Sequence, residues 1–94
     1  MNETIAIKIM SPVAVVWEAQ VIAISAENSE GAFDILPDHA RFMSLLNTSE
    51  VTMELQDTTV KTFTFDNAVL FFEDNVAVIY IQEALQKIDA ERLI

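Results

Sequence analysis

The chain has no cysteine, one glycine, one histidine, one tryptophan and two prolines among its 94 residues. Each shortage excludes something. Without cysteine there is no disulfide framework to staple a small secreted fold. With His39 as the only histidine, the usual zinc and copper sites cannot be assembled. Gly31 stands alone, so there is no glycine-rich phosphate loop. Basic side chains are also scarce: five Lys and Arg against 15 Asp and Glu give a net charge of −10. That field repels nucleic acid and anionic lipid, and it is compatible with a basic protein partner or with simple solubility. The longest charge-free runs, such as residues 9–17, fall far short of the roughly 18 to 20 apolar residues that a membrane-spanning helix needs. No basic region followed by an apolar core and a small-residue cleavage site opens the chain, and an intracellular compartment is the expectation.

What is present is apolar side chains, 52% of the residues, too many for a disordered segment and enough for one modest core. They recur at every second position, the period of a strand with one buried face. Ile5, Ile7 and Ile9 share a face; so do Val51, Met53 and Leu55, and Phe63 and Phe65 alternate with Thr62 and Thr64. Turn chemistry places breaks at residues 11–12, 27–31, 37–38, 47–50, 57–59, 66–67 and 73–75. This close spacing predicts an all-β domain, a two-sheet antiparallel β-sandwich of jelly-roll type with about ten short strands. Residues 68–72 and 76–82 are apolar at nearly every position and are joined by Glu73, Asp74 and Asn75. They read as a hairpin deep in the sandwich or covered from outside by another protein. From Glu83 the period changes, with Leu85, Ile88 and Arg92 at helical spacing. The expected organisation is a sandwich over residues 1–82 followed by a short helical segment over 83–94.

Catalysis needs a nucleophile beside a base, a carboxylate pair in a cleft, or a set of metal ligands, and the sequence displays none of these. Glu73, Asp74 and Asn75 could offer oxygen ligands to a divalent cation, but a charged turn of this kind reads as a solvated hairpin tip. Asp38 beside His39 is half of a dyad on paper; neighbours on a turn rarely face one another, and a loop histidine that supports a protein contact is the better reading. Trp17, Phe33, Phe42, Phe71, Phe72 and Tyr80 read as core or interface residues, since an acidic chain is a poor stacking platform for bases. No metal and no cofactor is expected. A protein-binding module and a small jelly-roll enzyme or sugar-binding domain remain as general readings of such a sandwich.

Residues 29–46, SEGAFDILPDHARFMSLL, carry a more specific signal. A Ser-Glu-Gly turn, a short strand, a Pro-x-His-Ala loop and a leucine-bearing segment follow one another, with Ser29, Glu30, Gly31, Ile35, Pro37, His39, Ala40, Leu45 and Leu46 as the matching residues. The run resembles the signature of the epsilon subunit of F-type ATP synthases, called delta in mitochondria, and the likeness in pattern extends from about Ile5 to the C-terminus. Asp38 stands where the family usually has Gly, Arg41 where Pro often follows His-Ala, Ser49 and Glu50 where Pro-Gly often begins a strand, and Asp66 and Asn67 in the region of a Gly pair. Asp and Asn tolerate a left-handed backbone, so the first and last of these changes are compatible with the family's turns. Together the changes mark a divergent member.

The resemblance implies a noncatalytic subunit of the central stalk, with the gamma subunit and the c subunits of the membrane rotor ring as partners. It would sit peripherally on the cytoplasmic face of a bacterial inner membrane, or on its organellar equivalent, and meet the membrane only through the complex. Rotor-ring contact would fall to Glu30, Gly31, Pro37 and His39, with Asp34 and Asp38 adding negative charge opposite basic rotor loops. Phe71, Phe72 and Tyr80 are the expected contacts with gamma. Residues 88–92, Ile-Asp-Ala-Glu-Arg, resemble the Ile/Leu-Asp-x-x-Arg-Ala motif with which some bacterial epsilon subunits bind ATP. Leu93 replaces the final Ala, and Asp89 and Arg92 are expected to be vestigial. In the family a two-helix hairpin commonly follows the sandwich; here the chain stops as that hairpin would begin, which implies a short or truncated form.

Overall fold

The computed structural model describes residues 3–82, apart from the side chains of Thr48 and Ser49. These residues form six strands: β1 (Ile5–Met10), β2 (Val15–Asn28), β3 (Gly31–Ile35), β4 (Phe42–Leu55), β5 (Val60–Glu73) and β6 (Val76–Ile81). The strand order is β1-β6-β5-β4-β2-β3, and a further β1–β2 pairing closes the first five into a ring around one core. Neighbours are antiparallel except β1 and β6, which run parallel. The expected helical segment at 83–94 lies outside the described residues.

Where about ten short strands were expected, β2, β4 and β5 are single strands of 14 residues each. The predicted breaks at residues 47–50 and 66–67 are corners, not turns. In β5 the inward set changes from Phe63 and Phe65 to Ala68, Leu70 and Phe72, and in β4 it changes from Ser44 and Leu46 to Val51 and Met53. The paired register steps over this point, from Asn47↔Asn67 to Ser49↔Phe65. In β2 a register shift between Val21 and Ala23 likewise moves the inward set from Val21 to Ile24. At each corner a strand leaves one layer and enters the other, which is how long strands build a sandwich. Asp66 and Asn67 have no positive φ, so the corner needs no glycine there.

The true turns follow local chemistry. Asp74 and Asn75 have φ of 54° and 62°, the pair of left-handed residues that a two-residue hairpin between Glu73 and Val76 requires. At the β1–β2 turn the buried Ser11 hydroxyl accepts the backbone N–H of Val13 and of Ala14 at 3.2 and 3.1 Å and donates to the Ala14 carbonyl. The core between the layers is aliphatic and aromatic, with Ile5, Ile7, Ile9, Ile24, Ile35, Leu46, Met53, Phe63, Phe65, Leu70, Phe72 and Ile79 essentially without accessible surface. Trp17 closes one side of it, edge-on to Phe63 with ring centroids 4.9 Å apart.

Candidate functional site

The two layers present opposite chemistry to the outside. One is polar: Thr52 and Thr62 meet across β4 and β5 with their hydroxyls 3.4 Å apart, and the Ser25 hydroxyl donates to Asp34 at 2.7 Å. The other is built from β6, β1 and the adjoining halves of β2, β4 and β5, and its outward positions line up across strands in two rows. In one row Met43, Phe71, Val78 and Lys8 stand side by side, followed by Glu18. In the next, Leu45, Val69, Tyr80, Met10 and Val15 do the same. The second row is apolar across five strands. Met43 is 67% exposed, Leu45 66% and Tyr80 48%. Antiparallel sheets with a solvated face normally alternate apolar and polar, so an apolar outer face marks an interaction surface.

The apolar run at residues 68–72 and 76–82 is thereby explained. Ala68, Leu70, Phe72, Ala77, Ile79 and Ile81 face the core, and Val69, Phe71, Val76, Val78 and Tyr80 face outward. This corrects one expectation: Phe72 has no accessible surface and cannot touch another chain, because the corner at residues 66–67 puts even-numbered positions of β5 inside. Phe71, half-buried, and Tyr80, exposed, remain on the outer face, where Met43 and Leu45 join them unforeseen. Their signal in the sequence was only an alternation with inward Ser44 and Leu46.

A second surface gathers at the end of the sandwich formed by residues 36–41 and the β5–β6 turn. Asp38 takes a left-handed backbone, φ 70°, a conformation that favours glycine and that Asp tolerates. Its N–H donates to the Asn75 side-chain carbonyl at 2.6 Å, and the Asn75 amide donates back to the Asp38 carboxylate at 2.9 Å. The Asn75 backbone carbonyl accepts the N–H of Ala6, so the clasped turn also reaches the start of β1. His39 packs edge-on against Phe42 and Phe72, with centroids 5.8 and 5.9 Å away, and its Nδ1 lies 2.7 Å from the Ala40 carbonyl. The rings hold the imidazole as part of the loop's scaffold while leaving it exposed.

Glu30, Gly31 and Asp34 belong to the β2–β3 hairpin. The Asn28 side chain accepts the Glu30 N–H at 2.8 Å and donates to the Ser44 hydroxyl at 2.9 Å, which ties the hairpin to β4. Phe33 packs against Phe42 with the rings tilted and their centroids 4.9 Å apart. Phe42 is thus the common support of the hairpin and of the loop bearing His39. Asn28 and Ser44 were missed in the sequence, and Asn75 was read only as part of a solvated hairpin tip, because a polar residue near a strand end looks the same whether it faces solvent or bridges two loops. Asp89 and Arg92 lie outside the described residues. No cluster of three or more His, Cys, Asp or Glu suited to a metal occurs among the described residues, and Asp74 and Asn75 serve the hairpin turn.

This architecture defines a class: an antiparallel β-sandwich of closed strand order with one outward apolar sheet and a clasped loop end. Residues 4–87 match the family described as the ATP synthase delta/epsilon chain, beta-sandwich domain, and the chain belongs to that family. It is 35% identical over 57 residues to the ATP synthase epsilon chain of Rickettsia felis, a match covering 61% of this chain and 51% of that one. It is 34% identical over 55 residues to the epsilon chain of a Sulfurovum species, covering 58% and 43% of the respective chains. The chain thus spans about half the length of these relatives. Its fold superimposes on a chain in the cryo-EM structure of the Euglena gracilis mitochondrial ATP synthase OSCP/F1/c-ring assembly with a TM-score of 0.79 and 17% identity, over 92% of this chain and 55% of that one.

Proposed function

We propose that this chain is a noncatalytic domain of the rotary ATP synthase's central stalk, seated on the gamma subunit by its apolar outer sheet and on the rotor ring by its clasped loop end. The observation that carries the reading is the outer sheet. In a chain of net charge −10, the two rows from Met43 to Glu18 and from Leu45 to Val15 include a single carboxylate, at one end. A face that is to be desolvated against a partner carries few charged groups in this way. The loop end is suited to a different contact. Asp38 and His39 are exposed there, as are Glu30 and Asp34 on the β2–β3 hairpin, and fixed acidic groups orient a domain against basic loops more than they add affinity.

In this reading the domain transmits torque. It makes and breaks no bond; a sandwich clamped to gamma and resting on the ring helps couple ion-driven rotation to ATP synthesis in a catalytic head formed by other subunits. Its place is peripheral, on the membrane face where that head stands. The test is co-purification with the gamma subunit encoded in the same genome, followed by native mass spectrometry. A one-to-one complex that Tyr80→Glu and Leu45→Glu abolish, while both variants keep the parent's circular dichroism, is the expected result. A folded chain that forms no complex would move the generic binding module to first place.

A further inference from the structure

Among the described residues, four strand edges have no neighbouring strand. In the polar layer these are β3 and the first half of β5. In the apolar layer they are the first half of β2 and Phe42–Asn47 of β4, because β2 pairs with β4 only where Val21 to Ser25 meet Leu55 to Thr52. An open edge displays unpaired N–H and C=O groups, and proteins guard it with charge, proline, a bulge or shortness. Three of the four are guarded. β3 has five residues and carries Asp34, β5 carries Lys61, and β2 carries Glu18 close to a register irregularity opposite Ile9 and Met10. Residues 42–47, Phe-Met-Ser-Leu-Leu-Asn, contain no charge and no proline and pair with β5 without a shift in register. Side-chain exposure changes at the same place. On β5, which has a strand on each side, Val69 and Phe71 are half-buried, whereas Leu45 and Met43 opposite them are 66% and 67% exposed. One flank of Met43 and Leu45 is covered by β5; the other is open to a strand that none of the described residues supplies.

We propose that Phe42–Asn47 is a site of strand addition: the gamma subunit lays an extended segment of about six residues along this edge, completes the backbone hydrogen bonds of β4 and sets alternate apolar side chains beside Met43 and Leu45. The inference rests on the reading that the outer sheet binds gamma, and it deepens that reading by giving the contact a register. An added strand continues both apolar rows by one position, so that edge and face form a single surface. Backbone pairing also suits the charge of this chain, because it needs no ionised group on either side in a domain whose net charge of −10 repels anions. The same charge opposes the other occupant that an uncharged edge admits, a second copy paired edge to edge.

The test reads the register of the complex in two ways. Amide exchange of the full wild-type chain is compared with and without gamma, and Met43→Cys and Leu45→Cys are each oxidised against a cysteine-free gamma into which single cysteines are introduced in turn; this chain has no cysteine of its own to compete. On binding, those amides of residues 42–47 that exchange rapidly in the free chain, at alternate positions, should slow by about 10-fold or more. Cross-links from Met43→Cys and Leu45→Cys should fall two positions apart within one gamma segment. If gamma binds but exchange over residues 42–47 is unchanged, or cross-links follow the helical spacing of three and four, the outer face remains the interface and strand addition is overturned. If gamma does not bind the folded chain, the functional reading fails and this inference falls with it. Protection of residues 42–47 in the chain alone that grows with its concentration, together with a dimer in sedimentation, would assign the edge to a second copy and also overturn it.

Discussion

Gly31 has φ of +124°, and a Cβ built on it would meet nothing within 4 Å. Space therefore does not demand the glycine; the backbone does, because side chains rarely adopt that conformation. Gly31→Ala should lower unfolding stability by roughly 1–3 kcal/mol in a denaturant titration, without any steric clash. An unchanged midpoint would mean that the β2–β3 turn relaxes freely and that the Ser-Glu-Gly run does not need its glycine for folding. A second residue-scale prediction concerns acid. The Asp57 carboxyl is held below its ordinary value of 3.8, chiefly by the Thr59 hydroxyl and then by the Thr59 N–H, with a smaller contribution from Lys61. Since the folded value is the depressed one, the ionised group favours folding above the unfolded value, and that contribution is lost as pH falls through the folded value. Asp57→Asn should therefore melt below wild type at pH 7 and approach it near pH 3. A gap that stays constant across that range would show that Asp57 acts through hydrogen bonding alone.

Elements were legible where one physical signal dominated. The alternation of Ile5, Ile7 and Ile9, and of Val51 and Met53, marked buried faces that the fold displays, and the Asp74-Asn75 pair before Val76 formed the hairpin it suggested. Corners were not legible, because a bend that swings a strand between layers uses the same Asn and Asp residues as a turn. Asn47, Asp66 and Asn67 looked like strand ends and are strand middles. The same shift decides the site: continued from Phe63 and Phe65, alternation would bury Phe71 and expose Phe72, whereas the corner reverses them. The clasp of Asp38 and Asn75 was equally hidden, since the two residues lie 37 positions apart. Asn75→Gly tests it cleanly, because glycine keeps the left-handed backbone while deleting both side-chain bonds. The expected loss is about 1–2 kcal/mol, with faster amide exchange across residues 36–41. Faster exchange confined to residues 73–76 would show that the loop stands without the clasp.

At the scale of the whole molecule, charge and apolar surface are segregated, and salt should act on them separately. The net charge of −10 opposes compaction and keeps copies apart, while the sheet bearing Met43, Leu45 and Tyr80 favours any contact that removes it from water. Raising salt from about 0.05 to 0.5 M shortens the Debye length from roughly 14 Å to 4 Å. Screening of self-repulsion should then raise the melting temperature of the isolated chain and let copies associate through the outer sheet. The proposed association with gamma through that sheet should change by less than about threefold, since a desolvated apolar contact is screened little. The proposed contact of the loop end with the rotor ring, for which exposed Glu30, Asp34 and Asp38 are the candidates, should weaken steeply over the same range. Sedimentation of the isolated chain and binding titrations against gamma and against ring-containing membranes at both salt concentrations would check all three. Steep weakening of gamma binding would place that contact on the acidic loops and leave the apolar sheet for another surface. Salt-induced self-association that persists in Tyr80→Glu would likewise remove the outer sheet as the site where copies meet.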